Sequence, residues 1–268
     1  PGDAVAIESP TYFGIFQVME SLGLKVVEIP TDPTSGIDLD VLEGSIRKFN
    51  IRACLFVCNF NNPMGSCLSD EKKKRLVELL TRHSVPLIED DIYGELYFGK
   101  SRPRTCKSFD KKGIVIQCGS FSKSLAPGYR IGWAVPGRFT EDVIRLKRMN
   151  TVATNTLAQA AIAEFLENGR YELHLRHLRR ALHTQCLRYI QAIHENFPEG
   201  TRVTRPQGGF ALWLELDKKM DTYKLHKRAL KAGIGIAPGQ IFSSQGRFGN
   251  CFRMSFGLPW SDRVEHGI

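Results

Sequence analysis

Residues 119–133 read GSFSKSLAPGYRIGW and place one lysine, Lys123, between small hydroxyls and a Pro-Gly turn leading to Arg130. The apolar run Ile114-Val115-Ile116 before them reads as a buried strand ending at Gly119-Ser120. In open α/β sheets, ligands collect beyond the carboxyl ends of the strands. An anion there is served by the Ser120 and Ser122 hydroxyls, backbone N–H groups and the Arg130 fork. Lys123 is then left as an amine able to trap a carbonyl, its proton easier to lose where it is desolvated among cations. A basic surface loop is the plainer alternative. A lone S-x-S-K would not exceed it, but the length and composition of this stretch favour a built site.

Two further strand ends carry polar clusters of the same kind. Ala53–Val57 ends in NFNNPMG (59–65), and Val85–Ile88 runs into EDDIY (89–93). Asn62 precedes a proline, which pushes its backbone out of the helical region and leaves a cis bond open to it. Strands at Ala4–Ile7 and Lys25–Ile29 alternate with helical patterns at Phe13–Leu22, Asp38–Phe49 and Ser69–His83, the last capped by Ser69. Ile131–Val135 is a further strand, followed by helices near Thr140–Met149 and Asn155–Asn168. This alternation predicts an α/β unit with a mostly parallel sheet covered on both faces. In such a sheet Asn62, Asp90 with Tyr93, and Ser120 with Lys123 converge on one site.

The long amphipathic stretch Tyr171–Phe197 contains no Pro or Gly and is long enough to join two domains. Beyond it, strands at Thr201–Val203, Gly209–Leu216, Gly233–Ala237 and Cys251–Phe256 surround a helix at Thr222–Ala232. The expected organisation is a larger α/β domain over 1–170 and a linking helix with a smaller α+β domain over 171–268.

The site chemistry is not that of a common hydrolase. G-x-S-x-G, H-E-x-x-H and G-x-G-x-x-G are all absent. A lysine, a carboxylate, an amide, a phenol, hydroxyls and an arginine suit pyridoxal 5′-phosphate. That cofactor needs an amine for its aldehyde, an acid for its ring nitrogen, donors for its phenolic oxygen and a cradle for its phosphate. The net charge of +9 agrees with an anionic partner without choosing one. Seven cysteines with no C-x-x-C read as reduced core thiols of a cytoplasmic protein, and no apolar run approaches membrane-spanning length. His174 and His177 sit three apart beside Arg170, Arg176, Arg179 and Arg180. No carboxylate or cysteine is spaced to complete a metal site with them, and a solvated or interdomain face outweighs nucleic-acid contact.

The motifs SPTY (9–12), NNPMG (61–65), IEDDIYGELYF (88–98), GSFSKSLAPGYRIGW (119–133) and CFRMSFG (251–257) resemble those of fold-type-I, class I and II aminotransferases, over essentially the whole chain. The wording around the aspartates, the lysine and residues 168–180 is most similar to the aminotransferase-like domain of MocR-type bacterial regulators, which carry a GntR-type winged-helix DNA-binding head. The resemblance implies a three-layer large domain and a smaller α+β domain. It implies an imine between the cofactor and Lys123, which also shuttles a substrate proton, and Asp90 on the pyridinium nitrogen. Asn62 and Tyr93 would serve the phenolic oxygen, Tyr12 the ring face, and Ser120, Ser122 and Arg130 the phosphate. Arg253 would clamp a substrate carboxylate, with Asn62 alongside. It further implies an amino acid or related amine as ligand, a homodimer, and DNA contact only through the winged-helix head.

Local reading leaves several points open. Asp90 competes with Asp91, Tyr12 with a core aromatic, and Ser122 with a turn cap. Arg253, flanked by apolar residues, needs a carboxylate that is either a ligand or an internal group such as Glu215 or Asp217. Pro1 opens directly into a strand and residues 265–268 read as a helix start, so the chain reads as a fragment lacking part of its phosphate cup. Two functions remain: an effector-sensing regulator domain, and a free-standing aminotransferase.

Overall fold

The computed structural model describes residues 1–268. The chain begins with β1 (Ala4–Ser9), α1 (Gly14–Ser21), β2 (Lys25–Asp32), the short β3 (Gly36–Ile37), α2 (Leu39–Phe49) and β4 (Ile51–Phe56). Next come α3 (Asp70–Arg82), β5 (Leu87–Asp90), β6 (Val115–Ser120) and β7 (Gly132–Val135). These strands form one seven-stranded sheet in the order β3-β2-β1-β4-β5-β6-β7. The central pairs are parallel, and only the two edge strands run antiparallel.

Strands of such a sheet are covered on both faces, which is why β1 is buried at every residue and its Ala4–Ile7 stretch reads as an unbroken apolar run. One face packs Leu42, Ile46, Leu76 and Leu80 of α2 and α3 against Phe56, Leu87 and Val115. The other packs Val5 and Ile7 against Met19 of α1. Local chemistry sets the helix ends: Asp38 accepts from the N–H groups of Asp40 and Val41, and Ser69 accepts from Lys72. β3 lies in what reads locally as a polar turn. Asp32 Oδ1 takes the Thr34 and Ser35 N–H groups and folds the chain back on β2.

Helices α4 (Thr140–Thr151) and α5 (Thr156–Glu167) lead into α6 (Arg170–Asn196), the 27-residue helix expected to join two units. Beyond it lie β8 (Arg202–Val203), β9 (Ala211–Glu215), α7 (Thr222–Lys231), β10 (Ala237–Pro238), β11 (Cys251–Ser255) and α8 (Asp262–Gly267). The four strands form a second sheet, β10-β11-β9-β8, with every pairing antiparallel. The strand expected over Gly233–Ala237 contributes only Ala237 and Pro238 to this ladder, because Gly233 turns left-handed (φ 77°) as α7 ends. Leu182, Cys186, Tyr189 and Ile193 of α6 pack with Leu212, Leu214 and Phe252 beneath the small sheet. Glu28 of β2 ties the two sheets together, accepting from Ser243 Oγ at 2.9 Å and from the Ser244 N–H at 2.7 Å. No helix is long and apolar enough to cross a membrane.

One buried acid sits at the end of β1. Glu8 is fully buried, accepts the Val57 N–H at 3.0 Å through Oε2, and leaves Oε1 without a partner. Burial pushes its pKa from 4.5 up to about 8. Between those values the folded state binds more protons than the unfolded one, so stability falls as pH rises through the window, by about 1.4 kcal/mol per unit of difference. Glu8→Gln keeps the acceptor for Val57 and is expected to flatten this slope. Urea unfolding at pH 5 and pH 8 should show the variant gaining on the parent at the higher pH; parallel losses in both would remove Glu8 as the cause.

Candidate active site

β4, β5 and β6 lie side by side and parallel, so their carboxyl ends bring three polar segments together. After β4 the chain reaches Asn62 through a turn in which the Gly65 N–H donates to the Asn61 carbonyl at 2.6 Å. The Asn62–Pro63 peptide is cis. Asp90 is the last residue of β5, and Tyr93 lies one turn beyond. β6 ends at Ser120, and a tight turn follows in which the Leu125 and Ala126 N–H groups both donate to the Phe121 carbonyl. Gly119 is required where β6 meets β7, because a Cβ there would lie 2.3 Å from the Trp133 ring.

Asn62 Nδ2 approaches the Tyr93 hydroxyl at 3.4 Å, and Asn62 Oδ1 accepts from Arg253 Nη1 at 3.1 Å. That pair of contacts orients the amide and joins the small sheet to the large one. Tyr93 is buried, and its hydroxyl pKa is raised to about 12 by burial. Lys123 is exposed; the chain itself supplies no desolvated pocket for it. Its Nζ lies 5.5 Å from the centre of the Phe210 ring, which also meets Tyr93 edge-on at 5.4 Å. Phe210 was not singled out by sequence reasoning. The signal for it was Gly208-Gly209, where the chain crosses so close to Leu96 and the Phe60 ring that a Cβ on Gly208 would lie 2.6 Å from both.

The structure separates the two aspartates. Asp91 is buried, and its carboxylate is consumed by Asn59 Nδ2 at 2.8 Å and by an ion pair with Arg102. Asp90 has only a long contact from the Ile92 N–H, 3.4 Å away. Burial raises its pKa from 3.8 to about 6 against the pull of that N–H and of Lys123. The network behind Asp91 was invisible in sequence. The fully buried Lys73 donates to Asn59 Oδ1 at 2.7 Å, and Glu95 bridges Arg102 to Arg179. Its members are scattered along the chain and meet only through the fold.

Ser120, Ser122 and Arg130 form a second group. Ser120 Oγ accepts the Ser122 N–H at 3.0 Å, and Arg130 Nη1 reaches Ser122 Oγ at 3.4 Å. Arg130 is held left-handed (φ 54°) and makes no ion pair with any carboxylate of the chain. Tyr12 is 42 % exposed and stands over Gly14, so it is not a core aromatic. Arg253 meets neither internal carboxylate: Glu215 pairs with Arg202 at 3.6 Å, and Asp217 accepts from Lys219 N–H at 2.8 Å. Its Nε is buried without a partner, and burial lowers its pKa. A guanidinium so placed is costly until an anion reaches it.

His174 and His177 do not form a metal site. His174 turns to the Ser124 carbonyl, while His177 is exposed. Cys58, Glu89 and Cys106 do cluster, but both Glu89 oxygens are taken by the Cys106 and Lys107 N–H groups at 2.6 and 3.0 Å.

The donor set fits pyridoxal 5′-phosphate: an accessible amine, an acid tuned close to neutrality, an oriented amide and phenol, and two arginines that no carboxylate of the chain pairs with. Comparison with known proteins agrees. The chain is 40 % identical over 268 residues to the uncharacterized HTH-type transcriptional regulator YjiR of Escherichia coli (strain K12), covering all of this chain and 57 % of that protein. It therefore spans little more than half the length of that relative. The kynurenine aminotransferase of Pyrococcus horikoshii, solved with PMP, superposes with a TM-score of 0.93 at 30 % identity, over 100 % of this chain and 67 % of that one. LysN, the alpha-aminoadipate aminotransferase of Thermus thermophilus, solved with N-(5′-phosphopyridoxyl)-L-leucine, gives 0.91 at 30 % identity over 99 % and 68 %. These relatives bear out the fold class, and the pyridoxyl ligands of the two solved aminotransferases are of the kind the donor set suits. The family model described as aminotransferase class I and II matches residues 1–264, and the chain belongs to that family.

Proposed function

We propose that this chain is the effector-sensing domain of a transcriptional regulator, holding pyridoxal 5′-phosphate at Lys123 and docking an amino compound through its carboxylate at Arg253. The observation that carries the reading is the Arg253 guanidinium, half-buried beside Asn62 with no carboxylate of the chain to meet it. The 40 % identity to an HTH-type regulator favours sensing. DNA contact would then fall to a winged-helix head outside residues 1–268. Exposed Leu146, Met149, Val152 and Trp133 around β7 and α4 support a homodimer, and seven free cysteines support a cytoplasmic setting.

When bound, the cofactor supplies an electron sink for charge on the carbon next to the ligand's amine. Lys123 Nζ, once neutral, takes and returns the proton on that carbon. Asp90 holds the ring nitrogen protonated. The Asn62 amide and Tyr93 hydroxyl serve the phenolic oxygen, and Tyr12 covers the ring. Ser120, Ser122 and Arg130 receive the phosphate. In this division residues 1–170 hold the cofactor and 171–268 supply the carboxylate receptor.

The runner-up is a free-standing aminotransferase, favoured by an acid–base pair that lacks nothing chemically: Asp90 tuned close to neutrality and Lys123 accessible. Full-length protein loaded with the cofactor and given an amino acid and a 2-oxo acid separates the two. A sensor stops after one half-reaction and an enzyme continues. In the same assay Arg253→Ala is expected to weaken amino acid binding on the order of a hundredfold while leaving an amine without a carboxylate unaffected. Equal loss for both ligands would show that Arg253 does not read the carboxylate.

A further inference from the structure

The stretch RYELHLRHLRR (170–180), basic and histidine-containing, has no part in the chemistry above. Its first two turns nevertheless hydrogen-bond to the lysine loop at Ser124, the immediate neighbour of Lys123. The Tyr171 hydroxyl donates to Ser124 Oγ at 2.8 Å, and His174 Nε2 lies 2.9 Å from the Ser124 carbonyl oxygen. A carbonyl only accepts, so His174 carries its hydrogen on Nε2. Ser124 is 1 % exposed, whereas Lys123 is exposed. The two α6 side chains are three apart and therefore on one helix face. Phe165 meets both rings edge-on at 6.4 Å, and Phe121 meets Tyr171 at 5.8 Å.

Further along, the same helix grips the aspartate side of the site. Arg179 Nε donates to the Glu95 carbonyl at 2.8 Å, its guanidinium lies 4.0 Å from the Tyr97 ring centre, and Glu95 also holds Arg102, the partner of Asp91. One rigid helix is thus bonded both to the residue after Lys123 and to the segment that follows Asp90. We infer that Tyr171 and His174 are positioning residues: by clamping Ser124 from both its side chain and its carbonyl, they set where the Lys123 amine stands relative to Asp90. An exposed lysine has little packing of its own to fix it, and bonds on its neighbour substitute for that packing. The inference rests on the cofactor reading above.

The test uses full-length protein and the variants Tyr171→Phe, His174→Ala, His174→Gln and Ser124→Ala, with Arg176→Ala on the exposed face as control. Three readouts are taken: the rate at which added pyridoxal 5′-phosphate becomes borohydride-fixable at Lys123, the circular dichroism induced in its visible band, and amide hydrogen exchange of residues 121–126 without cofactor. Tyr171→Phe and His174→Ala are expected to slow attachment by about threefold to tenfold, the worth of one hydrogen bond. They should also weaken the dichroism and raise exchange in 121–126. His174→Gln, which keeps a donor, should recover most of the loss. Tyr171→Phe combined with Ser124→Ala should be no worse than either alone.

Unchanged attachment and dichroism in both α6 variants overturn the inference, as does strict additivity of the Tyr171 and Ser124 changes. If wild type fixes no pyridoxyl group at Lys123, the cofactor reading fails, and the exchange measurement still decides the clamp. A variant too unstable to load is judged by His174→Gln and the Tyr171–Ser124 pair.

Discussion

Replacing Lys123 with alanine is expected to abolish the pyridoxyl group that borohydride fixes on the wild-type protein, with peptide mapping as the readout. Lys123 is the lysine that stands at the shared carboxyl ends of β4, β5 and β6, with its Nζ near Phe210. The buried Lys73 is committed to Asn59 and cannot substitute. Because Lys123 is exposed, its loss should leave stability within about 0.5 kcal/mol of wild type. Loss of the adduct therefore reports chemistry. Lys123→Arg keeps a cation but not a nucleophilic amine, and should fail equally. Any residual proton transfer from an amino acid should fall by about a hundredfold to ten-thousandfold, the usual worth of a positioned acid–base group. A pyridoxyl group recovered on a different lysine, in wild type, would overturn the assignment.

The second large effect distinguishes two adjacent aspartates. Asp90→Asn is expected to lower the rate of the first half-reaction by about a hundredfold or more, since a preorganised charge aimed at the reacting system is lost. It should cost the fold nothing. The Asp90 pKa is raised from 3.8 to about 6, so the cofactor-free protein loses stability as pH rises through that window. The amide removes that loss, and Asp90→Asn should be the more stable protein at pH 8. Cofactor binding should show the complementary trend, strengthening as pH rises through about 6 and the carboxylate becomes available to a cationic ring nitrogen. Asp91→Asn should behave oppositely. It strips a buried partner from Arg102 and is expected to destabilise by about 3–5 kcal/mol. Single-turnover absorbance and chemical unfolding on both variants check this. If Asp91→Asn proves the kinetic lesion and Asp90→Asn the structural one, the assignments are exchanged.

Much of the architecture is local and was legible residue by residue. Ala4–Ile7 and Ile114–Ile116 read as strands because central parallel strands carry apolar runs, and Ser69 and Asp38 announce their helices because capping needs only the next few N–H groups. The chain itself determined that Lys123, Asn62, Tyr93 and one of two aspartates would meet. Once strand and helix alternate, parallel pairing carries successive strand ends to the same edge. Only the tertiary structure decided which aspartate is free, because the ion pair occupying Asp91 comes from Arg102 after an intervening loop. The same holds for Arg253, freed when Glu215 turned to Arg202, and for Ser124, gripped by residues of α6. Periodicity and capping act over a few residues, whereas the pairing of buried charges and hydrogen bonds is settled by whichever distant groups the packed core brings within reach. That is why the sequence named the candidate residues, while the fold chose the partners that hold some of them and left Asp90 and Arg253 without an ion pair.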